Sequence, residues 1–271
     1  MEYRFAWQIL APEKMNRMIR PFVLAETNYS QIKDAAFSLA IIPWGATEAH
    51  NYHLPYGTDS YESYAIACEA ARLAWENEVK SLVLPCVPFG VNTGQVDIAG
   101  TVNMYPSTQA ALLGDILESI ENWGIQKILL LNGHGGNDFK PMLREAGRRH
   151  PSLFLAVANW YQAVEKSSFF EHEGDHADEM ETSLMLHIHP ELVLPLNLAG
   201  EGKSRDFAAP SLNEKWAWSE RKWKKVSEDT GIGNPKKATN IKGKDYFEAV
   251  STKIGQLIQE IAALDHENPY T

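Results

Sequence analysis

Four side chains able to ligate a metal, Glu48, His50, His53 and Asp59, fall within twelve residues of one another in the segment Trp44 to Asp59. Residues two apart in an extended segment project to the same side, so Glu48 and His50 face together. Carboxylates with imidazoles suit a divalent cation, and a carboxylate such as Asp59 can bridge two. Two cations lower the pKa of a shared water, the resulting hydroxide attacks a carbonyl, and one cation stabilises the oxyanion. The same residues also read as a solvated loop with Asp59 at a helix start. A second stretch is Asn132-Gly133-His134-Gly135-Gly136-Asn137. Its glycines, Gly135 among them, let the backbone come close to a bound group. Its spacing is not G-x-G-x-x-G, and a central histidine suits a metal better than a pyrophosphate. A third runs from Gly174 to Ser183. There Asp178 and Glu179 are explained by a helix start, where acids complement the dipole. Glu181 instead heads the stripe Glu181, Leu184, Met185, Ile188, on a face that should be buried. A buried carboxylate needs a cation or hydrogen-bond donors.

Short apolar runs alternating with helix-period segments are what must position these groups, and that rhythm predicts an α/β fold. Strands are expected at Ser38 to Pro43, Leu82 to Phe89, Ile128 to Leu131 and Leu153 to Asn159, apolar enough to be covered on both faces. Helices are expected along Tyr64 to Trp75, along Leu113 to Ile120 with Gly124 as C-cap, and over Asp138 to Arg149, Glu179 to Ile188 and Asp245 to Leu264. Glu48, His50 and Asp59 follow the first strand and His134 follows the third. In open sheets the carboxyl ends of strands are where loops aim side chains into one crevice. From Asn197 to Gly243 the texture becomes irregular, with Lys215-Trp216-Ala217-Trp218 and Lys222-Trp223-Lys224-Lys225. We read that segment as an insertion within a single domain spanning 1–271, serving a subunit interface or the rim of an active site.

The chain has 35 acidic against 25 basic residues and a formal charge of -10. Such a balance repels phosphate backbones and anionic membranes, so neither nucleic acid nor membrane is an expected partner. No stretch approaches the roughly 20 apolar residues of a membrane span, and the opening of the chain does not read as an export signal. Two cysteines, Cys68 and Cys86, build no disulfide framework, and a reducing cytoplasmic setting is expected.

Together these residues resemble the creatininase (creatinine amidohydrolase) family. The match rests on Gly45-x-x-Glu48-x-His50-x-x-His53-Leu54-Pro55 with Asp59, on the Asn132 to Asn137 run, and on His176-Ala177 followed by Glu181-Thr182-Ser183. Gly231-x-Gly233-x-Pro235, Ala238-Thr239 and Lys242-Gly243 extend it. The resemblance implies a three-layer α/β/α metallohydrolase with a mostly parallel sheet, assembled as a homohexamer, with two divalent metal ions, zinc or manganese. Asp59 would bridge them, Glu48 and His134 would hold one, and His50 would help hold the other. His176 would carry a proton beside the substrate, and Trp160 is similar to a tryptophan that packs on a substrate ring. Asp175 is the candidate to orient His176, and His53 to orient a ligand. His150, His172, His187, His189 and His266 are set aside as surface or core residues.

Creatininases proper carry a glutamate where this chain has Gly136, and many relatives carry a Glu-His pair where it has Gly94-Gln95. Creatinine is therefore not the expected substrate. Glu181, the glutamate of Glu-Thr-Ser, is expected to complete the His50 site. The function expected is hydrolysis of a C–N bond in a small cyclic amide or formamide. C–C or lactone hydrolysis on the same metals, and a metal-loaded scaffold without turnover, are the alternatives.

Overall fold

The computed structural model describes residues 19–214 and 216–270, so the reading of residues 1–18 and of Lys215 lies outside it. Four strands form one parallel sheet: β1 (Leu39–Trp44), β2 (Ser81–Val83), β3 (Lys127–Asn132) and β4 (Phe154–Asn159), in the order β2-β1-β3-β4. The register places Ile41 beside both Val83 and Leu129, and Leu129 beside Ala156. The longer helices are α1 (Thr58–Glu76), α2 (Pro106–Asn122), α3 (Phe139–Arg149), α4 (Glu179–Ile188) and α5 (Asn240–Ala263).

Alternation along the strands builds a core on each face of the sheet. Leu39, Ile41, Leu129 and Leu131 pack against α1 and α5 through Ile66, Ala70, Val250 and Ile254. Ala40, Ile42, Trp44, Ile128 and Leu130 face the other way, onto Leu113, Leu117 and Ile120 of α2 and Phe139 of α3. Strands covered on both faces are apolar throughout, and all six residues of β1 are buried. Each such leucine or isoleucine contributes about 1.5–3 kcal/mol of burial. Ala67, Ala70, Ala71 and Ala74 give α1 a flat side that admits α5 closely. The result is three layers, α/β/α.

Chain order decides where a site can form. From β1 the chain crosses to β2 on one side, then returns past β1 to β3 on the other, so the loops leaving the carboxyl ends of β1 and β3 diverge. A crevice opens at that switch point.

The strand expected over Leu82 to Phe89 ends at Val83, because Pro85 and Pro88 cannot donate to a ladder; an isolated bridge from Trp44 to Val87 continues it. The last helix begins at Asn240, five residues before the expected start. There the Thr239 hydroxyl accepts from the Lys242 amide at 3.2 Å, the usual office of an N-cap. Gly124 ends the α2 turn at φ 81°, as a C-cap should. The described residues of 197–239 are irregular apart from short helical turns, including Pro210–Asn213 and Trp223–Val226, while the last four residues of the expected insertion, 240–243, belong to α5. Asn51 ties it down: its side-chain oxygen accepts from the Gly200 amide at 2.8 Å, and its backbone N–H donates to the Thr230 hydroxyl at 3.0 Å.

Candidate metal centre

Glu48 and His50 lie on the loop leaving β1, Asp59 stands in the first turn of α1, and His134 follows β3. All four are buried. Side-chain contacts of Asn132 hold the second loop: its Oδ1 accepts from the His134 amide at 3.2 Å and from the Asn137 side chain at 2.9 Å. Glu181 enters from the first turn of α4, whose amides at Met180 and Glu181 are capped by Asp178 at 2.9 and 3.0 Å. Ligand atoms of Glu48, Asp59 and His134 lie within 4.8 Å of one another, as do those of His50, Asp59 and Glu181. Asp59 belongs to both of these groups, and a third group within the same distance joins Glu48, His50 and His176.

The histidines test whether this is a metal site. His134 Nε2 donates to the Val91 carbonyl at 3.0 Å, which turns Nδ1 toward Glu48 Oε1 at 2.8 Å and Asp59 Oδ2 at 2.9 Å. His50 Nδ1 donates to the Glu48 carbonyl at 3.0 Å, which turns Nε2 toward Asp59 Oδ1 at 2.8 Å. In a neutral ring the second nitrogen is a lone pair, and here each faces carboxylate oxygens. That arrangement is repulsive unless a cation joins them, either a proton on the ring or a metal ion. An imidazole anchored by its far N–H to a backbone carbonyl is the usual posture of a metal ligand. The residues therefore fit divalent ions.

Electrostatics agree. Burial opposes charge on His50, yet Asp59 outweighs it and raises the ring to about 10. His134 rises as well, burial being overcome by Glu48 and Asp59. Burial also opposes ionisation of Glu48, but His134 and His176 hold it below the usual carboxylate range. Glu181 is pushed up to about 8 by burial and by the nearby Asp178 and Asp59, in spite of His50. One carboxyl in the group is thus short of positive charge.

His176 sits beside this cluster, its Nε2 donating to the Ala49 carbonyl at 2.8 Å and its Nδ1 3.8 Å from Glu48 Oε1. Burial and the charge of His50 lower its pKa. Two non-glycine residues with left-handed backbone flank the site, Asn51 at φ 54° and Ala177 at φ 48°. Such backbone collects where the surrounding structure over-determines it, and at Ala177 it aims the amide at Glu181.

Some sequence-derived roles find other settings. Asp175 does not meet His176: both its oxygens accept from Arg221 Nη1, at 3.2 and 3.1 Å, and the Ala49 carbonyl orients the imidazole instead. Trp160 is wholly buried beneath the sheet end, its indole N–H 3.2 Å from the Ser63 hydroxyl, and it does not line the cavity. The tryptophan that does is Trp223, whose ring lies 4.7 Å from that of His176. His53 Nε2 bonds the Thr182 hydroxyl at 2.8 Å, joining the β1 loop to α4 rather than touching the cluster, and burial lowers its pKa to about 4. Glu179, whose position alone reads as company for a helix dipole, accepts from the amides of Glu171 and His172 and pairs with Lys242. Gln95, which spacing does not mark as a site residue, donates its amide to Glu48 Oε2. Its one signal in the sequence is the departure from the Glu-His pair.

The cavity over the cluster has a volume of about 1010 Å³, with Glu48, His134, Gly135 and His176 on its floor and Trp218 to Arg221 with Trp223 on one wall. The irregular segment therefore contributes to the mouth of the site. Gly135 leaves open space where a side chain would stand, whereas a Cβ on Gly136 would lie 2.3 Å from the Val91 carbonyl.

The family model for creatinine amidohydrolase matches residues 25–258. The chain belongs to the creatininase family. It is a creatininase-family hydrolase whose buried imidazoles and carboxylates form groups able to hold metal. It is 30% identical over 219 residues to a mycofactocin precursor peptide peptidase of Mycobacterium ulcerans, covering 76% of this chain and 79% of that one. A crystal structure from Bacteroides fragilis, named "Putative creatinine amidohydrolase", is 44% identical with a TM-score of 0.87, covering 92% of this chain and 99% of that one. Creatininases solved in Zn-Zn and Mn forms share the fold at 20% identity, with TM-scores of 0.75 and 0.73, covering 88% of this chain and 97% and 98% of theirs. Among the described residues no helix is long and apolar enough to cross a membrane.

Proposed function

We propose that this creatininase-family chain is a dinuclear-metal amidohydrolase that cuts the C–N bond of a small amide or formamide other than creatinine. The observation that carries this reading is Asp59, shared by two three-residue groups and facing a histidine from each. Glu48, His134 and Asp59 would hold one ion, and His50, Glu181 and Asp59 the other. Bound divalent ions supply a water of lowered pKa and a Lewis acid for the carbonyl oxygen. The remaining chemistry belongs to side chains. His176, pinned through Nε2 on Ala49, presents Nδ1 to the cavity floor as a base and can return the proton to the leaving nitrogen. Trp223 packs against its ring, 4.7 Å between centroids. Gln95 fixes one oxygen of Glu48, leaving the other for His134 and metal. Gly136 stands where creatininases proper carry a glutamate, and the absence of that carboxylate supports a substrate other than creatinine.

Elemental analysis after reconstitution with zinc or manganese should give about two ions per chain, and Asp59→Ala should lose both. A stoichiometry that stays near one in excess metal overturns the dinuclear reading. His176→Gln should keep its metals and lose turnover by about 10²-fold or more. Equal loss of metal would make that histidine a ligand. Metal-loaded protein inert toward amide, formamide and lactone panels would favour the scaffold.

A further inference from the structure

The cavity is larger than a small ring requires, and its wall holds a cation that the hydrolytic reading leaves without a task. Arg221 lines the cavity on the same wall as Trp223, its guanidinium carbon 5.2 Å from the Trp223 ring centroid. That ring in turn packs against His176. Asp175 engages the guanidinium end-on, both carboxylate oxygens meeting the single nitrogen Nη1. A carboxylate that takes the planar fork uses two nitrogens in parallel. Here, among the described residues, no hydrogen bond reaches Nε or Nη2, so that edge retains its donors.

Most other charges of the cavity are engaged, and Asp138 caps the Lys140 amide at 3.3 Å without a cation partner among the described residues. Glu220 is held by Lys222 at 2.6 Å and by the Thr93 hydroxyl, Glu145 pairs with Arg149 at 3.6 Å, and Glu48 with His134 at 2.8 Å. Arg149 is highly exposed, whereas Arg221 is partly exposed and is held by its contact with the Trp223 ring and by a backbone packed against Gly94, whose absent side chain would lie 2.2 Å from the Arg221 carbonyl. A guanidinium so restrained loses little freedom when it binds an anion.

We propose that Arg221 is a specificity-determining residue that takes a substrate carboxylate on its Nε–Nη2 edge. The substrate class is then a carboxylate-bearing amide, its scissile bond over the Glu48 and His134 floor and its carboxylate at the Arg221 wall. This rests on the amidohydrolase reading above. Asp175 is the counter-charge that sets how strongly the site holds its anion.

The test uses matched probes on zinc-loaded enzyme: N-formyl amino acids against their carboxamides, compared by kcat/KM where they are hydrolysed and by calorimetric Kd where they are not. The wild type should prefer the carboxylate member by about tenfold or more, the range a charged hydrogen-bonded pair supports. Arg221→Gln should collapse the ratio to within about twofold, and Arg221→Lys should fall between. Asp175→Asn should widen the ratio, so an unstable Arg221 variant still leaves a prediction of defined sign. No preference in the wild type overturns the proposal, as does a preference that survives Arg221→Gln, which would place the carboxylate on the metals. Hydrolysis of both members with equal efficiency would leave the amidohydrolase reading standing and end this one. Hydrolysis of neither, with binding still dependent on Arg221, would do the reverse.

Discussion

Glu181 shows how much one side chain can decide. Its carboxylate closes on His50 and Asp59 from α4, and Gly136 offers no side chain to replace it. Glu181→Gln is expected to empty the His50 site selectively, leave the Glu48 and His134 site filled, and abolish activity. Retention of both ions, measured by elemental analysis, would mean that another carboxylate does the work, and Asp178→Asn and Glu179→Gln are the comparisons. Glu62, one turn after Asp59, poses a different problem. Both its oxygens are buried without a hydrogen-bond partner among the described residues, and burial, reinforced by Glu181 and Asp59, raises its pKa well above 4.5. A carboxyl whose folded pKa exceeds its unfolded value binds its proton more tightly when folded. Its contribution is therefore complete below about pH 4.5 and is lost as pH rises toward the folded value, at a slope of roughly 1 kcal/mol per pH unit. Glu62→Gln keeps the shape and removes that dependence. Melting curves should show the variant more stable than the parent at pH 8, with the gap narrowing toward pH 5; a gap independent of pH would mean that Glu62 is ionised in a solvated setting.

At the scale of elements, the parts written in local patterns are legible in the sequence and the parts written in chain crossings are not. The apolar run at Ile128 is a central strand, whereas the stripe led by Glu181 is buried together with every residue from Glu179 to Met185, so its spacing does not by itself set Glu181 apart from Glu179. The early end of β2 is also present in the sequence, in Pro85 and Pro88, but a run of apolar residues outweighs them. Trp160 and Asp175 are different. Whether Trp160 turns to the cavity or to the core depends on where Ser63 of α1 lies, and Asp175 finds Arg221 some 46 residues along the chain. Neither distance has any signature in local spacing. Helix pairing of the same kind makes a clean prediction at Gly243, where α5 crosses α4 so closely that a Cβ would stand 1.8 Å from the Ser183 carbonyl. Backbone cannot yield as a side-chain tip can, so Gly243→Ala should cost roughly 1–3 kcal/mol in urea denaturation. Gly147 in α3 has nothing within 4 Å of that position. Gly147→Ala should instead stabilise by about 0.5–1 kcal/mol through helix propensity. A Gly243→Ala protein as stable as the parent would show that the two helices can part without loss.

The molecule as a whole leaves aromatic surface in solvent on an otherwise charged exterior. Trp216 is 73% exposed and Trp218 85%, both in the irregular segment, with Tyr105 at 61% and Trp123 at 52% elsewhere. Scattered apolar side chains are ordinary on a surface, but tryptophan is costly to leave there and is enriched where subunits meet. The formal charge of -10 opposes association of like copies only weakly beyond the roughly 8 Å over which charges are screened at physiological salt. We therefore expect an oligomer in solution, with Trp216 and Trp218 within the contact. Light scattering at micromolar protein should give a mass that is a multiple of 30.4 kDa, and a mass equal to that of one chain would refute it. Because Trp218 also stands on the cavity wall, the two roles for this segment can be separated by one variant. Trp216→Ser combined with Trp218→Ser should lower the mass toward that of a single chain while far-ultraviolet circular dichroism stays unchanged. A mass that does not move would take both rings out of the contact and leave Trp218 to the cavity wall, where the loss would be read in substrate binding.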